Sequence, residues 1–333
     1  MSRVFDVAVV GADQPLGEAL MELLREGTFP LGRLHGLVAA SGDDDDGGFL
    51  SVDEFDFAQV QLAFLADSVA TSRAWAGPIA DAGCVVIDHS GTFSADPDVP
   101  LVLPAINAAD LAGYRERMLV ACPSAATVQL LTAVRPLLAS VGIDGIRATV
   151  LEPVSRDGQS GVQELARQSA QLLNAQAITP RLYPRQIAFN VLPVTDDLDA
   201  AGHSGPERTL ELELRRLLGE AAPTLTSTFA RVPVFFGAVQ VLHLEMRDEI
   251  TAEQAWNLLS TDPSVKVLDV QHGDDANPVA VSAADDAEVC IGRIRDDCVH
   301  LRGLELWVVA DTVRRVAALT GRRIAEALVT EYL

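Results

Sequence analysis

The chain has 333 residues, 49% hydrophobic and 22% charged, with 47 acidic against 25 basic side chains and a formal net charge of −22. It is long and apolar enough for two domains with separate cores, and its acidic balance argues against nucleic acid or an anionic membrane as partner.

"VFDVAVVGADQPLGEALMELLREG" reads as a buried strand from Val4 to Val10, a tight turn at Gly11 and a helix from about Leu16 closed by Gly27. Strand-like runs follow at "LHGLVAAS", "QLAFLA", "CVVIDHS" and "MLVAC", alternating with helical or loop segments such as "SVATSRAWAGPIADAG". That alternation predicts an α/β unit, a mostly parallel sheet covered by helices, over roughly the first 125 residues. Beyond it, "IRATVLEPVS", "LTSTFARVPVFFGAVQVLHLEM" and "AEVCIGRIRDDCVHLRGLELWVVAD" are rich in β-branched residues, while "GQSGVQELARQSAQLLNAQ" and "GPERTLELELRRLLGE" are amphipathic helices. A second, α+β domain is expected there. The closing "DTVRRVAALTGRRIAEALVTEYL" predicts a helix whose packing partner the pattern leaves open.

Chemistry is concentrated where β-rich sequence gives way to helix. In "VACPSAATVQLLTAVRPLL" a nucleophile would sit on a helix N-terminus, but Ala125 occupies that place. Cys122 lies three residues earlier, about 10 Å away in extended chain, and Ser124 has no histidine at a spacing that marks a base. His243, in "FFGAVQVLHLEM", faces the opposite side from Ala238 if that run is one strand, which suits a strand-face histidine with a hydrogen bond. Cys84, Cys122, Cys290 and Cys298 form no C-x-x-C pair, and three stand in apolar runs like reduced core thiols. With no apolar run of about 18 residues and too short an opening segment for a signal peptide, a cytoplasmic protein is expected.

The turn "GADQPLG" offers Gly11, Ala12 and Gly17 to a dinucleotide phosphate. It lacks the middle glycine and carries Asp13 and Gln14 instead, so a purely structural turn stands equally open. Asp43 to Glu54 nearly matches a calcium loop, but the strand before it favours a solvated acidic loop, whose four aspartates would oppose a ribose 2′-phosphate. No resident metal is expected.

Several stretches together resemble the aspartate-semialdehyde dehydrogenase family over nearly the whole chain: "IGRIRDDCVHLRGLELWVVADTVRRVAALTGRRIAEAL", "DHSGTFSADPDVPLVLPAIN", "IAFNVLP" and "ARVPVFFGA". The resemblance implies a Rossmann-like nucleotide-binding domain at residues 1–127 that takes back 312–333, and an α+β domain for dimerisation and catalysis at 128–311. It also implies a homodimer, a cysteine thioester, and hydride exchange with NADP or NAD if any cofactor is retained. Carried onto this chain, the nucleophile falls on Ala125, the base histidine on Ala238, and the glutamine that orients the intermediate on Glu152. The substrate arginine remains as Arg231, suited to a small carboxylate or to an interdomain salt bridge. A phosphate-binding arginine falls on Ser94, a phosphate-binding lysine on Thr209, and a cofactor-side asparagine on Thr320. Arg156 and Asp157 enter the cofactor-side turn that retains Gly158. The pattern resembles the Usg-type branch, which keeps the fold and lacks the cysteine. A non-catalytic dimer that binds a ligand or partner is therefore expected, the alternatives being a dehydrogenase with altered catalytic residues such as Cys122, or a different chemistry at Ser124 and Glu152.

Overall fold

The computed structural model describes residues 3–39, 49–193, 196–282 and 289–333. The chain forms two compact units, one of Met1–Ser124, Arg216–Leu218 and Ala317–Leu333, the other of Ala125–Arg215 and Gly219–Val316.

The first unit opens with β1 (Phe5–Val10), α1 (Pro15–Glu26), β2 (Leu31–Val38) and β3 (Leu50–Ser51). It continues through β4 (Leu62–Leu65), α2 (Val69–Asp81), β5 (Val85–Asp88), the short α3 (Pro104–Asn107) and β6 (Leu119–Ala121). The six strands pair in the order β3-β2-β1-β4-β5-β6, and every pairing is parallel. Central strands of such a sheet are covered on both faces. Every residue of β4, β5 and β6 is accordingly buried. The first strand starts one residue later than expected because Val4 is exposed. Pro15 opens α1, where a missing N–H costs little, and Gly17, Leu20, Met21 and Leu24 form its buried face.

The second unit begins with α4 (Ala125–Ser140), β7 (Ile143–Glu152), α5 (Gly158–Leu173) and α6 (Gly205–Leu218), whose last three residues count with the first unit. It goes on through β8 (Thr224–Arg231), β9 (Ala238–Met246), α7 (Ala252–Leu259), β10 (Val265–Val267), β11 (Val289–Asp296) and β12 (Gly303–Ala310). Its sheet runs β10-β11-β12-β9-β7-β8, with β7–β8 and β10–β11 parallel and the other neighbours antiparallel. The β-rich run at 225–246 breaks where Val154 and Ser155 donate N–H bonds to the carbonyls of Val234 and Phe235. Gly237, at φ +87°, then starts β9; a Cβ there would lie 2.2 Å from the Ala280 carbonyl oxygen. Along β9, Ala238, Gln240, Leu242, Leu244 and Met246 are buried while His243 and Glu245 are not. Gln240 reaches α4, bonding the Ala126 carbonyl at 2.9 Å. One sheet face is thus covered by helix, and His243 belongs to the other, as parity requires.

The closing segment is not one uniform helix. Asp311 accepts N–H bonds from Val313 and Arg314, and Thr312–Ala318 winds in the wider π pattern before α8 (Leu319–Glu331). Inside the first unit α8 packs on α1, α3 and β5. Gly321 is needed there, since a Cβ would lie 2.3 Å from His89 Nε2. Among the described residues, no helix is long and apolar enough to cross a membrane.

Candidate functional site

One end of the second sheet gathers four of the residues singled out above. Glu152 ends β7 and pairs in register with Arg231 at the end of β8, while Ala238 opens β9 beside them, where Leu151 pairs with Val239. Ala125 starts α4, whose first turn is tied to β9 twice. Gln240 Nε2 donates to the Ala126 carbonyl, and Gln129 Nε2 donates to the carbonyls of Ala238 and Val308, both at 3.3 Å. The backbone therefore places positions 125, 152, 231 and 238 at one sheet end, with methyl groups at two of them.

Arg231 is 2% exposed and its guanidinium is already engaged. Nη1 donates to Glu152 Oε2 at 2.9 Å and to the Pro153 carbonyl at 3.2 Å. Asp157 lies along the other edge, with Nη2 donating to Oδ1 at 3.2 Å and Nε lying 3.1 Å from Oδ2 without a hydrogen bond. Asp157 stands at the start of α5 but makes no capping bond there; it faces the arginine instead and accepts the Tyr183 hydroxyl at 2.7 Å. Burial, then the Asp157 charge, pushes the Tyr183 phenol up, so it stays a donor. The other Glu152 oxygen accepts from Arg156 Nε at 3.1 Å, and the Glu152 charge holds Arg156 protonated more firmly than usual. Two cations and two anions close on one another. Both acidic partners of Arg231 lie in its own unit, so of the two readings weighed above the interdomain salt bridge is not the one that forms. These partners stand along the guanidinium edges that a substrate carboxylate would use, while Nε makes no hydrogen bond.

The turn after β1 is equally occupied by its own chain. A Cβ on Gly11, at φ +88°, would lie 2.8 Å from the Ala66 carbonyl oxygen, and one on Gly17 would lie 1.9 Å from that of Gly11. Ala12 is fully buried. At the start of α1 the Gln14 N–H turns back to Gly11, Pro15 has none, and the Gln14 side chain bonds Asp13 Oδ2 at 2.9 Å. The Asp13 carboxylate beside this turn is a competing anion for a pyrophosphate. Gly158, at φ +67°, forms the turn into α5. Asp43 to Asp46 lie outside the described residues; Glu54 is exposed at the end of a 3₁₀ turn.

Residues 6–114 match the family described as "Semialdehyde dehydrogenase, NAD binding domain", and residues 134–315 match "Semialdehyde dehydrogenase, dimerisation domain". The chain belongs to the aspartate-semialdehyde dehydrogenase family. It is 36% identical over 340 residues to an aspartate-semialdehyde dehydrogenase of Shewanella sp. (strain DB6705), with the whole of both chains covered. It is 39% identical over 341 residues to a USG-1 protein homolog of Pseudomonas aeruginosa, again with full coverage of both. Its fold superposes with a TM-score of 0.92, at 35% identity and full coverage of both chains, on aspartate semialdehyde dehydrogenase II of Vibrio cholerae complexed with ASA. The Rossmann-like and α+β architecture is thus that of the aspartate-semialdehyde dehydrogenases, and the chain carries their dimerisation domain.

The other residues weighed from sequence are scattered through this family fold. Ser94 is buried, and its carbonyl accepts from Arg216 Nη1 at 2.5 Å, a contact with no counterpart among the sequence expectations. Thr209 is half-buried on α6, and Thr320 is buried in α8. Cys122 is 2% exposed, with its Sγ 3.6 Å from His89 Nε2; burial pushes that imidazole down to about 4, leaving it neutral near pH 7. Ser124 is half-buried. Tyr183, Gln129 and Gln240 were not singled out, because a tyrosine in "RLYPRQ" and glutamines within apolar runs carry no spacing signal before folding brings them to the sheet end.

Proposed function

We propose that this protein is a non-catalytic member of the aspartate-semialdehyde dehydrogenase family, of the Usg type, acting as a homodimer through its dimerisation domain. The observation that carries this reading is the closed Glu152–Arg231–Asp157 network beside Ala125 and Ala238. Neither alanine supplies a nucleophile or a base, and losing both where they act as a unit costs on the order of 10⁶ in rate. The arginine kept at the sheet end is neutralised by its own chain, so affinity for a small carboxylate is low. The turn at Gly11 and Gly17 packs closely on its own backbone, and the Asp13 carboxylate beside it lowers affinity for NADP and NAD. The test is phosphate-dependent reduction of NADP or NAD by the purified protein with aspartate semialdehyde. No turnover above the uncatalysed rate is expected; turnover at a rate ordinary for an enzyme overturns the proposal.

The contact between Cys122 and His89 favours one second reading, a dehydrogenase that uses Cys122 in place of the missing thiol. In that case Cys122→Ser abolishes the activity and leaves the fold intact; an activity that survives the substitution removes this reading.

A further inference from the structure

We propose that a cleft in the first unit, between the start of β1 and the end of α8, binds a free α-amino acid with an aliphatic side chain, Arg3 taking its carboxylate and Glu326 its ammonium. The cleft holds about 560 Å³, within the roughly 300–1,000 Å³ of small-molecule sites. Its walls come from three stretches of the unit: the start of β1 with Arg3 and Phe5, the approach to β2 with Pro30, and the end of α8 with Glu326, Val329 and Leu333. The Phe5 N–H donates to the Pro30 carbonyl at 2.9 Å, which ties the first two stretches together. Phe5 is the first residue of β1 and Gly11 follows the last, so about 20 Å of strand separates the cleft from the turn weighed for a dinucleotide.

The two charges stand on one cleft without meeting. Arg3 Nη1 donates to the Leu333 carbonyl, and its guanidinium carbon sits 5.0 Å from the centroid of the Phe5 ring. These contacts hold the planar group, while Nε and Nη2 take no acceptor among the described residues. That free edge is the one along which a guanidinium grips a carboxylate bidentately. Glu326 is held from behind. Its Oε1 accepts Arg322 Nε at 2.8 Å, and Gly27 leaves room for that arginine, since a Cβ there would lie 2.6 Å from its guanidinium carbon. The second carboxylate oxygen takes no donor among the described residues, and Glu326 pairs with Arg322 and not with Arg3.

A simple carboxylic acid in this cleft would meet Glu326 as a like charge, and a simple amine would meet Arg3 as one. A zwitterion answers both. It carries its ammonium and carboxylate on adjacent carbons, so partners hydrogen-bonded to its two ends stand farther apart than an ion pair, as Arg3 and Glu326 do. Phe5, Pro30, Val329 and Leu333 offer the remaining lining to an aliphatic side chain. None of these residues belongs to the Arg231 network, and the proposal stands whether or not the protein is catalytic.

The experiment is calorimetric titration of the full chain with L-leucine. One molecule per chain is expected, with a dissociation constant below about 5 mM. 4-Methylpentanoic acid, which lacks the ammonium, and 3-methylbutylamine, which lacks the carboxylate, should each bind at least about tenfold more weakly. Arg3→Gln and Glu326→Gln should each weaken leucine binding about tenfold with unchanged circular dichroism, since neither side chain is buried. Asp13→Asn, beyond the other end of β1, should leave it unchanged. Absence of binding at about 20 mM leucine overturns the site, as does wild-type affinity in either charge variant. Equal affinity for the acid or the amine overturns the zwitterion, and loss of binding in Asp13→Asn overturns the location.

Discussion

The second unit holds two charged clusters on the same sheet, and they differ in how fully their members satisfy one another. At the sheet end, Arg231 is 2% exposed and bonds Glu152, Pro153 and Asp157. On the helix-free face, His243 and Glu305 stand 3.6 Å apart with no hydrogen bond between them. The first arrangement leaves little for a ligand to gain, because any incoming carboxylate must displace one already paired. The second holds its carboxylates on backbone N–H groups and a half-exposed arginine. Resemblance to an enzyme family points to the first cluster as a binding site, and acidic side chains of this chain already stand on its arginine.

Breaking the inner cluster should give the largest effect. Arg231→Ala strands Glu152 and Asp157 near a buried position, and loss of about 3–5 kcal/mol of stability is expected, measured by urea denaturation. A change under about 1 kcal/mol would mean that the network is open to water and that Arg231 is available after all.

A buried group with no charged partner supplies a reference between the two clusters. Burial holds His89 at about 4, below its ordinary 6.5, so between these values the unfolded state binds the proton and the native state does not. Stability is therefore complete above about pH 6.5 and falls as the pH drops toward 4, by up to about 3 kcal/mol. His89→Gln should flatten that part of the profile; an unchanged slope would assign the acid sensitivity to other groups.

Tyr183→Phe removes the hydroxyl that Asp157 accepts at 2.7 Å. The expected cost is about 1.5–3 kcal/mol, as for a hydrogen bond to a charged group, read as a lowered denaturation midpoint with unchanged slope. The smallest effect belongs to the helix-free face. Glu305→Gln should change stability by less than about 1 kcal/mol, because its partners Arg295 and His243 are each about two-fifths exposed in the single chain. A large loss there would make this cluster structural too.

Much of the fold was legible along the chain. Continuous apolar runs marked β4, β5 and β6 because both faces of a parallel sheet are covered, and the parity that separates His243 from Ala238 follows from the two-residue period of one strand. The site was legible only as positions. Arg231 and Glu152 were named, but 79 residues separate them, and no local period announces that their side chains meet.

The sequence by itself determined the two-unit α/β architecture, the family, and the chemistry that Ala125 and Ala238 cannot supply, since a methyl group neither attacks a carbonyl nor takes a proton in any fold. Only the tertiary structure decided what the remaining polar groups do. Whether an arginine is free or clamped, and which carboxylate His243 meets, depend on contacts between segments far apart in the chain. Such contacts are set by packing and strand register, and local composition does not encode them.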